Sequence, residues 1–158
     1  MKKSIKRSRD LWLFISVFII IASCQKDKDD NHTTKTKTEL LTTGTWKYTG
    51  AIISPGYDYY GDGNVVTNIF SIMKDCEKDD FEVYKANGTW DYDEGPTKCD
   101  PSYPQIFSLP WYFTDNETKL ILGGDEHTIL ELTATTLKLR YSFEDAGVIY
   151  TEEDSYVH

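Results

Sequence analysis

The chain has 158 residues, of which 39% are hydrophobic and 14% aromatic, and its formal net charge is −9. Removal of the first 23 residues would lower Lys plus Arg from 17 to 12 and Asp plus Glu from 26 to 25, leaving a net charge of −13. Such an acidic surface repels phosphate backbones, so we expect no nucleic-acid partner. The remaining length suits one domain with a single core.

The first 24 residues predict export and membrane anchoring. Five basic residues are followed by an apolar run over residues 11–21. This run is too short to cross a bilayer, which requires about 20 residues, but it has the length of a secretory apolar segment. The segment Ile20-Ile21-Ala22-Ser23-Cys24 resembles the lipobox of bacterial lipoproteins. The resemblance implies cleavage before Cys24 and lipidation of that cysteine. An ordinary signal peptide with a chance cysteine is the alternative.

The charged run over residues 25–30 indicates where the anchored protein is displayed. It resembles the export signal of surface lipoproteins in Bacteroidetes-type bacteria, and its alternative role is that of a solvated tether. The resemblance implies an outer membrane lipoprotein that is exposed on the cell surface and contacts the membrane through its lipid. Residues 31–38 are rich in Thr and Lys and predict a flexible linker. The predicted organisation is a signal peptide over 1–23, a lipidated tether over 24–38 and a folded domain over 39–158.

The sequence of the folded domain predicts many short strands and one helical turn near Lys37–Leu41. Apolar residues alternate with polar ones in short runs that Gly, Asn and Asp residues separate. The candidate strands are 45–53, 64–73, 80–86, 89–94, 106–114, 118–122, 127–133, 136–143 and 147–153. This pattern predicts an all-β fold, an antiparallel up-and-down meander closed into a barrel of about eight strands.

One hairpin allows a prediction of register. Asn87-Gly88 is a strong signal for a two-residue turn of type I′. Centring the hairpin there pairs residues whose numbers sum to 175, so that four apolar residues share one face. These are Phe81, Val83, Trp90 and Tyr92. The same sum, extended outward, pairs Cys76 with Cys99.

Cys76 and Cys99 are the cysteines that remain once Cys24 is acylated. An exported domain favours their oxidation. A metal site would need further ligands, and His127 and His158 are distant in sequence. A redox-active pair would have closer spacing. We therefore predict a structural disulfide, with no metal site and no cofactor.

Gly44-Thr45-Trp46, at the entry to the first predicted strand, resembles the Gly-x-Trp signature of lipocalins and the wider calycin group. The segments 76–80 and 87–90, together with Cys99, are similar to lipocalin-like domains of Bacteroidetes lipoproteins. The resemblance covers residues 38–157 and implies a lipocalin-like barrel. It also implies that Trp46 seals the closed end under an arginine. Arg140 is the candidate for that arginine, although strand alternation places it on the outer face.

The sequence predicts a binding protein rather than an enzyme. It has no Gly-x-Ser-x-Gly motif and no free cysteine beside a histidine. We expect a small apolar or amphipathic ligand, and alternation gives the candidate lining residues. These are Phe81, Val83, Trp90, Tyr92, Trp111, Phe113, Leu130 and Leu139. The alternative is a filled barrel that acts as an interaction module, whose loops over 54–64 and 95–105 contact glycan or another envelope protein.

Overall fold

The structure, a computed structural model, describes residues 34–158. Within this range the chain forms two short helices and nine strands. Their bounds are α1 Lys37–Leu41, β1 Trp46–Tyr57, β2 Val66–Asn68, α2 Asp75–Lys78, β3 Phe81–Tyr84, β4 Thr89–Asp93, β5 Ile106–Thr114, β6 Lys119–Leu122, β7 Asp125–Leu132, β8 Thr136–Asp145 and β9 Val148–Val157. Neither helix has the length and hydropathy needed to span a membrane. The predicted signal peptide, Cys24 and the tether up to residue 33 lie outside the described residues.

Eight of these strands form a closed antiparallel barrel. From β3 to β9 each strand pairs with the next one along the chain, and β1 completes the ring by pairing with both β3 and β9. The extra strand, β2, pairs with the C-terminal part of β1. The predicted up-and-down barrel of about eight strands is therefore confirmed, and it is compatible with a lipocalin-like fold.

The barrel closes unevenly around β1. This strand pairs with β9 along most of its length, but with β3 only at Trp46 and Lys47. Beyond Lys47, the start of the segment over 69–80 lies against β1 instead. There the Ile69 amide donates a hydrogen bond of 3.0 Å to the Ala51 carbonyl. The connection between β2 and β3 thus forms part of the barrel wall.

Helix α1 closes one end of the barrel. A capping box at Thr36 begins the helix. The Lys37 Nζ donates a hydrogen bond of 2.5 Å to the carbonyl of Glu117, in the turn between β5 and β6. Leu41 is fully buried, and its carbonyl accepts a hydrogen bond of 2.8 Å from the Trp46 indole. The first strand therefore starts from a fixed point in the core.

The β3–β4 hairpin differs from its predicted register by one residue, because paired numbers sum to 174. The cause lies in the turn. Gly88 has a φ of 84°, whereas Asn87 is not among the residues with positive φ. The Lys85 amide donates a hydrogen bond of 2.8 Å to the Thr89 carbonyl. The loop thus has three residues with Gly88 in the left-handed position, a common alternative to the type I′ turn.

This shift changes which β3 side chains face the interior. Glu82 and Tyr84 are buried inside the barrel, and Tyr84 pairs with Trp90 across the hairpin. Phe81 and Val83 lie on the opposite face of β3. The prediction that Phe81 and Val83 share a face with the aromatic residues of β4 is therefore wrong.

The predicted disulfide is confirmed. The Cys76 and Cys99 sulfur atoms are 2.01 Å apart and the Cα atoms 5.2 Å apart. Cys76 lies in α2 and Cys99 in the connection between β4 and β5. The β3–β4 pairing ends before either cysteine, at Phe81 and Asp93. The disulfide therefore joins two connecting segments rather than the ends of a regular hairpin.

Candidate ligand-binding site

The half of the interior next to α1 is a packed core. Large apolar and aromatic side chains from α1 and six strands meet there and are almost completely buried. They include Leu41, Trp46, Tyr84, Trp111, Leu120, Leu137 and Leu139. Packing of this kind reaches the density of organic crystals. This half of the barrel therefore supports the structure rather than a ligand.

Several residues predicted to line a cavity lie elsewhere. Trp111 and Leu139 belong to the packed core, and Phe113 packs against it. Leu130 sits at a bulge in β7 and is 39% exposed. Val83 lies on the outer face of β3. None of these five borders the two cavities described next.

Trp46 lies in the closed end, but Arg140 does not cover it. The ring of His158 packs on Trp46 with 3.8 Å between the centroids. The Arg140 guanidinium instead lies on the outer surface, 2.6 Å from the Glu153 carboxylate. Alternation along β8 explains this position, because Leu139 and Tyr141 face inward. His158 therefore takes the place that the lipocalin resemblance gives to an arginine.

The other half of the interior holds an open space that we call the barrel cavity. Its volume is about 340 Å³. Aromatic and aliphatic side chains form most of its wall, with a few ionisable groups among them. The wall consists of Glu82, Trp90, Leu109, Leu122, Gly123, Asp125, His127, Tyr141 and Tyr156. Of the eight predicted lining residues, Trp90 is the one that borders this cavity.

A second space, which we call the side pocket, lies between the barrel and the segment over 69–80. Its volume is about 180 Å³. Tyrosines and carboxylates dominate its wall. The wall consists of Tyr48, Tyr59, Met73, Glu77, Asp80, Phe81, Glu82, Tyr92 and Tyr156. Phe81 and Tyr92, two predicted ligand-binding residues, border this pocket, and Glu82 and Tyr156 border both spaces.

Glu82 is a buried acid at the boundary between the two spaces. It is 7% exposed, and the Tyr84 hydroxyl donates a hydrogen bond of 2.6 Å to its Oε2. Burial raises the pKa of Glu82 to about 7, although the bond from Tyr84 opposes that rise. Glu82 therefore changes its charge near neutral pH.

One carboxylate oxygen of Asp80 accepts a hydrogen bond, whereas the other accepts none from the described residues. Its side chain is 4% exposed. The Tyr92 hydroxyl donates to Oδ2, whereas the buried Oδ1 has no hydrogen-bond partner within residues 34–158. Burial raises the pKa of Asp80 to about 6, in spite of the Tyr92 bond, and Glu94 and other nearby acids add to the rise.

Two more acids face the interior from β9. Glu152 and Asp154 precede Tyr156 at alternate positions, so all three lie on the same face of the strand. The Tyr48 hydroxyl donates a hydrogen bond of 2.8 Å to Asp154 Oδ1. Burial raises the pKa of both carboxyl groups, and repulsion by Asp154 raises that of Glu152 further. The interior therefore concentrates acidic groups that compete for protons.

The loop that follows β1 contributes a tyrosine to the side pocket. Asp58 stabilises this loop by accepting hydrogen bonds from the amides of Asp62 and Gly63, at 3.0 and 2.8 Å. Tyr59 borders the pocket, and the Tyr60 hydroxyl donates to Glu77 at 3.1 Å. The loop over 54–64, predicted as a contact surface for glycan or protein, thus forms part of a cavity wall.

The acidic interior is the main feature that the sequence reasoning missed. The one-residue error in register placed Glu82 outside the barrel. The strand predicted over 147–153 ended too early to include Asp154 and Tyr156. The alternation of Tyr150, Glu152, Asp154 and Tyr156 was the available signal, since these residues share one face of an extended chain.

Within residues 34–158, no three His, Cys, Asp or Glu side chains are arranged to hold a metal ion.

Neither a protein-family model nor a curated protein matches the chain.

Proposed function

We propose that this protein is a non-enzymatic, lipocalin-like lipoprotein of the cell surface that binds a small amphipathic molecule in its barrel cavity. The observation that carries the proposal is the unequal filling of the barrel. One half is a packed core, whereas the other holds about 340 Å³ of space. Pockets for small ligands begin at about 300 Å³, and an engineered cavity of about 150 Å³ already binds benzene.

The cavity wall suits an amphipathic ligand. Trp90, Leu109 and Leu122 offer apolar surface, and Tyr141 stacks on His127 with 5.2 Å between the ring centroids. Burial lowers the pKa of His127, so the ring is neutral at neutral pH. Its buried Nδ1 has no hydrogen-bond partner among the described residues. A ligand with an apolar body and one polar group would match this wall.

The test uses N-phenyl-1-naphthylamine, a neutral apolar dye that fluoresces when it leaves water. We expect the dye to bind and to accept energy from Trp90. Leu109→Trp should abolish binding with little loss of stability, because Leu109 borders empty space. Leu130→Trp, on the outer surface, is the matched control and should bind the dye like the wild type.

Leu139→Trp provides a second reference, because Leu139 lies in the packed core. Overpacking there should lower the free energy of unfolding by about 1–3 kcal/mol. If Leu109→Trp is equally destabilising and the wild type binds no dye, the barrel is filled and the proposal fails.

That outcome would favour the interaction module. One observation supports this second candidate. Tyr103, Ile106 and Phe107 are exposed near the mouth of the barrel. Tyr103 and Phe107 also border a surface depression of about 340 Å³. Exposed aromatic residues of this kind are common where proteins contact partners.

A further inference from the structure

We propose that the side pocket is a binding site for an organic ammonium group. The inference goes beyond the proposed function, since it concerns a different space and a charged ligand. It is carried by the placement of carboxylates and tyrosines around one small pocket.

The first argument is uncompensated charge. Glu77, Asp80 and Glu82 border the side pocket, and its wall contains no lysine, arginine or histidine. The ion pairs among residues 34–158 involve other acids. Lys78, which follows Glu77, instead places its Nζ over the Phe70 ring, 5.4 Å from the centroid. Buried carboxylates without a cation are unfavourable, so a cationic group would be stabilised here.

The second argument is the free oxygen of Asp80. The residue is almost completely buried and borders the pocket, yet its Oδ1 has no partner among the described residues. Buried polar atoms of native proteins are nearly always hydrogen-bonded. A cation in the pocket would stabilise the negative charge of this carboxylate electrostatically, without needing to donate a hydrogen bond to Oδ1.

The third argument is the aromatic wall. Tyr48, Tyr59, Tyr92 and Tyr156 border the same space. The hydroxyls of Tyr48 and Tyr92 are already bound to Asp154 and Asp80. The rings are therefore held in place by their hydroxyl groups. Aromatic rings attract cations through their quadrupole, and cages of such rings recognise quaternary ammonium groups.

The size of the pocket fits such a group. Its volume of about 180 Å³ is slightly larger than the cavity of about 150 Å³ that accepts benzene. Glu77 is also fixed before a ligand arrives, because its Oε2 accepts hydrogen bonds from the Lys74 amide at 2.7 Å and from Tyr60 at 3.1 Å. A preorganised acid loses little freedom on binding.

Choline is the probe, and 3,3-dimethyl-1-butanol is its neutral counterpart, in which carbon replaces the charged nitrogen. Isothermal titration of the whole folded domain should detect choline at tens of millimolar or less, and the neutral alcohol should bind at least tenfold more weakly. Equal binding of the two compounds, or no heat with choline at those concentrations, would overturn the proposal. So would displacement of choline by calcium at equal concentration, because the site would then prefer a metal ion.

Two variants of the pocket and one control locate the site. Asp80→Asn and Tyr59→Leu should each weaken choline binding about tenfold. Asp125→Asn, which alters an acid of the barrel cavity, should leave it unchanged. Tyr59 is 44% exposed, so its replacement keeps the test valid if Asp80→Asn fails to fold. Unchanged affinity in a folded pocket variant would reject the proposed site.

Binding should also depend on pH. Asp80 is faced by Glu77, Asp79, Tyr92 and Glu94, and no base among them offsets its charge. For Glu82, the facing groups are Tyr84, Trp90, Asp154 and Tyr156. Choline affinity should therefore rise between about pH 5 and pH 8, as Asp80 and Glu82 lose their protons. A flat profile would contradict the role of these carboxylates.

The dye experiment on the barrel cavity separates the two proposals. Leu109→Trp should block the dye and leave choline binding intact. A wild-type protein that binds choline but not the dye would count against the proposed function alone, and one that binds the dye but not choline would count against the ammonium site alone.

Discussion

At the scale of single residues, Glu82 has the largest effect on how the stability of the protein depends on pH. Its carboxylate is buried between the two spaces, and its pKa is raised from 4.5 to about 7. A raised pKa means that the folded protein holds this proton more tightly than the unfolded chain does. The protonated carboxyl group of Glu82 therefore makes its full contribution to the free energy of unfolding below about pH 4.5. That contribution is lost as the pH rises through about 7.

Glu82→Gln tests this linkage. The amide can still accept the Tyr84 hydrogen bond but carries no charge. We expect the variant to be more stable than the wild type at about pH 8, by about 3 kcal/mol at most, and to differ little at about pH 4. Urea unfolding at several pH values measures the difference.

The matched control is Glu131→Gln, which alters an exposed acid paired with Lys138. Exposed pairs contribute about 0–1 kcal/mol, so this variant should follow the wild type. If Glu82→Gln and the wild type lose stability in parallel above pH 5, titration of the buried Glu82 does not determine how the free energy of unfolding depends on pH.

At the scale of elements, the sequence predicts the strands better than their register. The alternation around Leu137 and Leu139 is strong because one face of β8 meets the core. Asn87-Gly88 fits both a two-residue and a three-residue loop, and local sequence does not distinguish them. A one-residue error of this kind exchanges the two faces of a strand. For that reason the barrel could be predicted, whereas Glu82 and most of the site could not.

Gly88→Ala tests the observed turn. Its φ of 84° is costly for alanine, and an added Cβ would lie 3.4 Å from the Trp111 carbonyl oxygen. The substitution should lower the free energy of unfolding by about 1 kcal/mol or more. Ala86→Ser, in the same turn, should change it by less than about 0.5 kcal/mol. Equal effects in chemical unfolding would contradict the special conformation of Gly88.

At the scale of the whole molecule, the barrel is closed at one end and open towards the other. Helix α1 and the Trp46–His158 contact lie at the closed end. The proposed lipid anchor would be joined through the segment that precedes α1.

Cys24→Ser tests the anchor. The lipobox resemblance implies that the thiol carries the lipid, so the variant should leave the membrane fraction or accumulate as an unprocessed precursor. Cell fractionation and intact mass report both results. Ser23→Ala, which keeps a small residue before the cysteine, is the control and should remain in the membrane. A Cys24→Ser protein that fractionates like the wild type would exclude lipidation at this position.

The pairing of β1 with β9 links completion of the fold to completion of the site. Tyr48 and Asp154 are hydrogen-bonded across 106 positions of sequence, and Tyr156 borders both spaces. Joining such distant segments carries a high loop-closure entropy, so we expect this pairing to form late during folding. Until β1 and β9 pair, these two strands remain unpaired edges of an open sheet and neither space has its full wall. Newly made chains would therefore gain the proposed binding capacity in the same step in which they lose those edges.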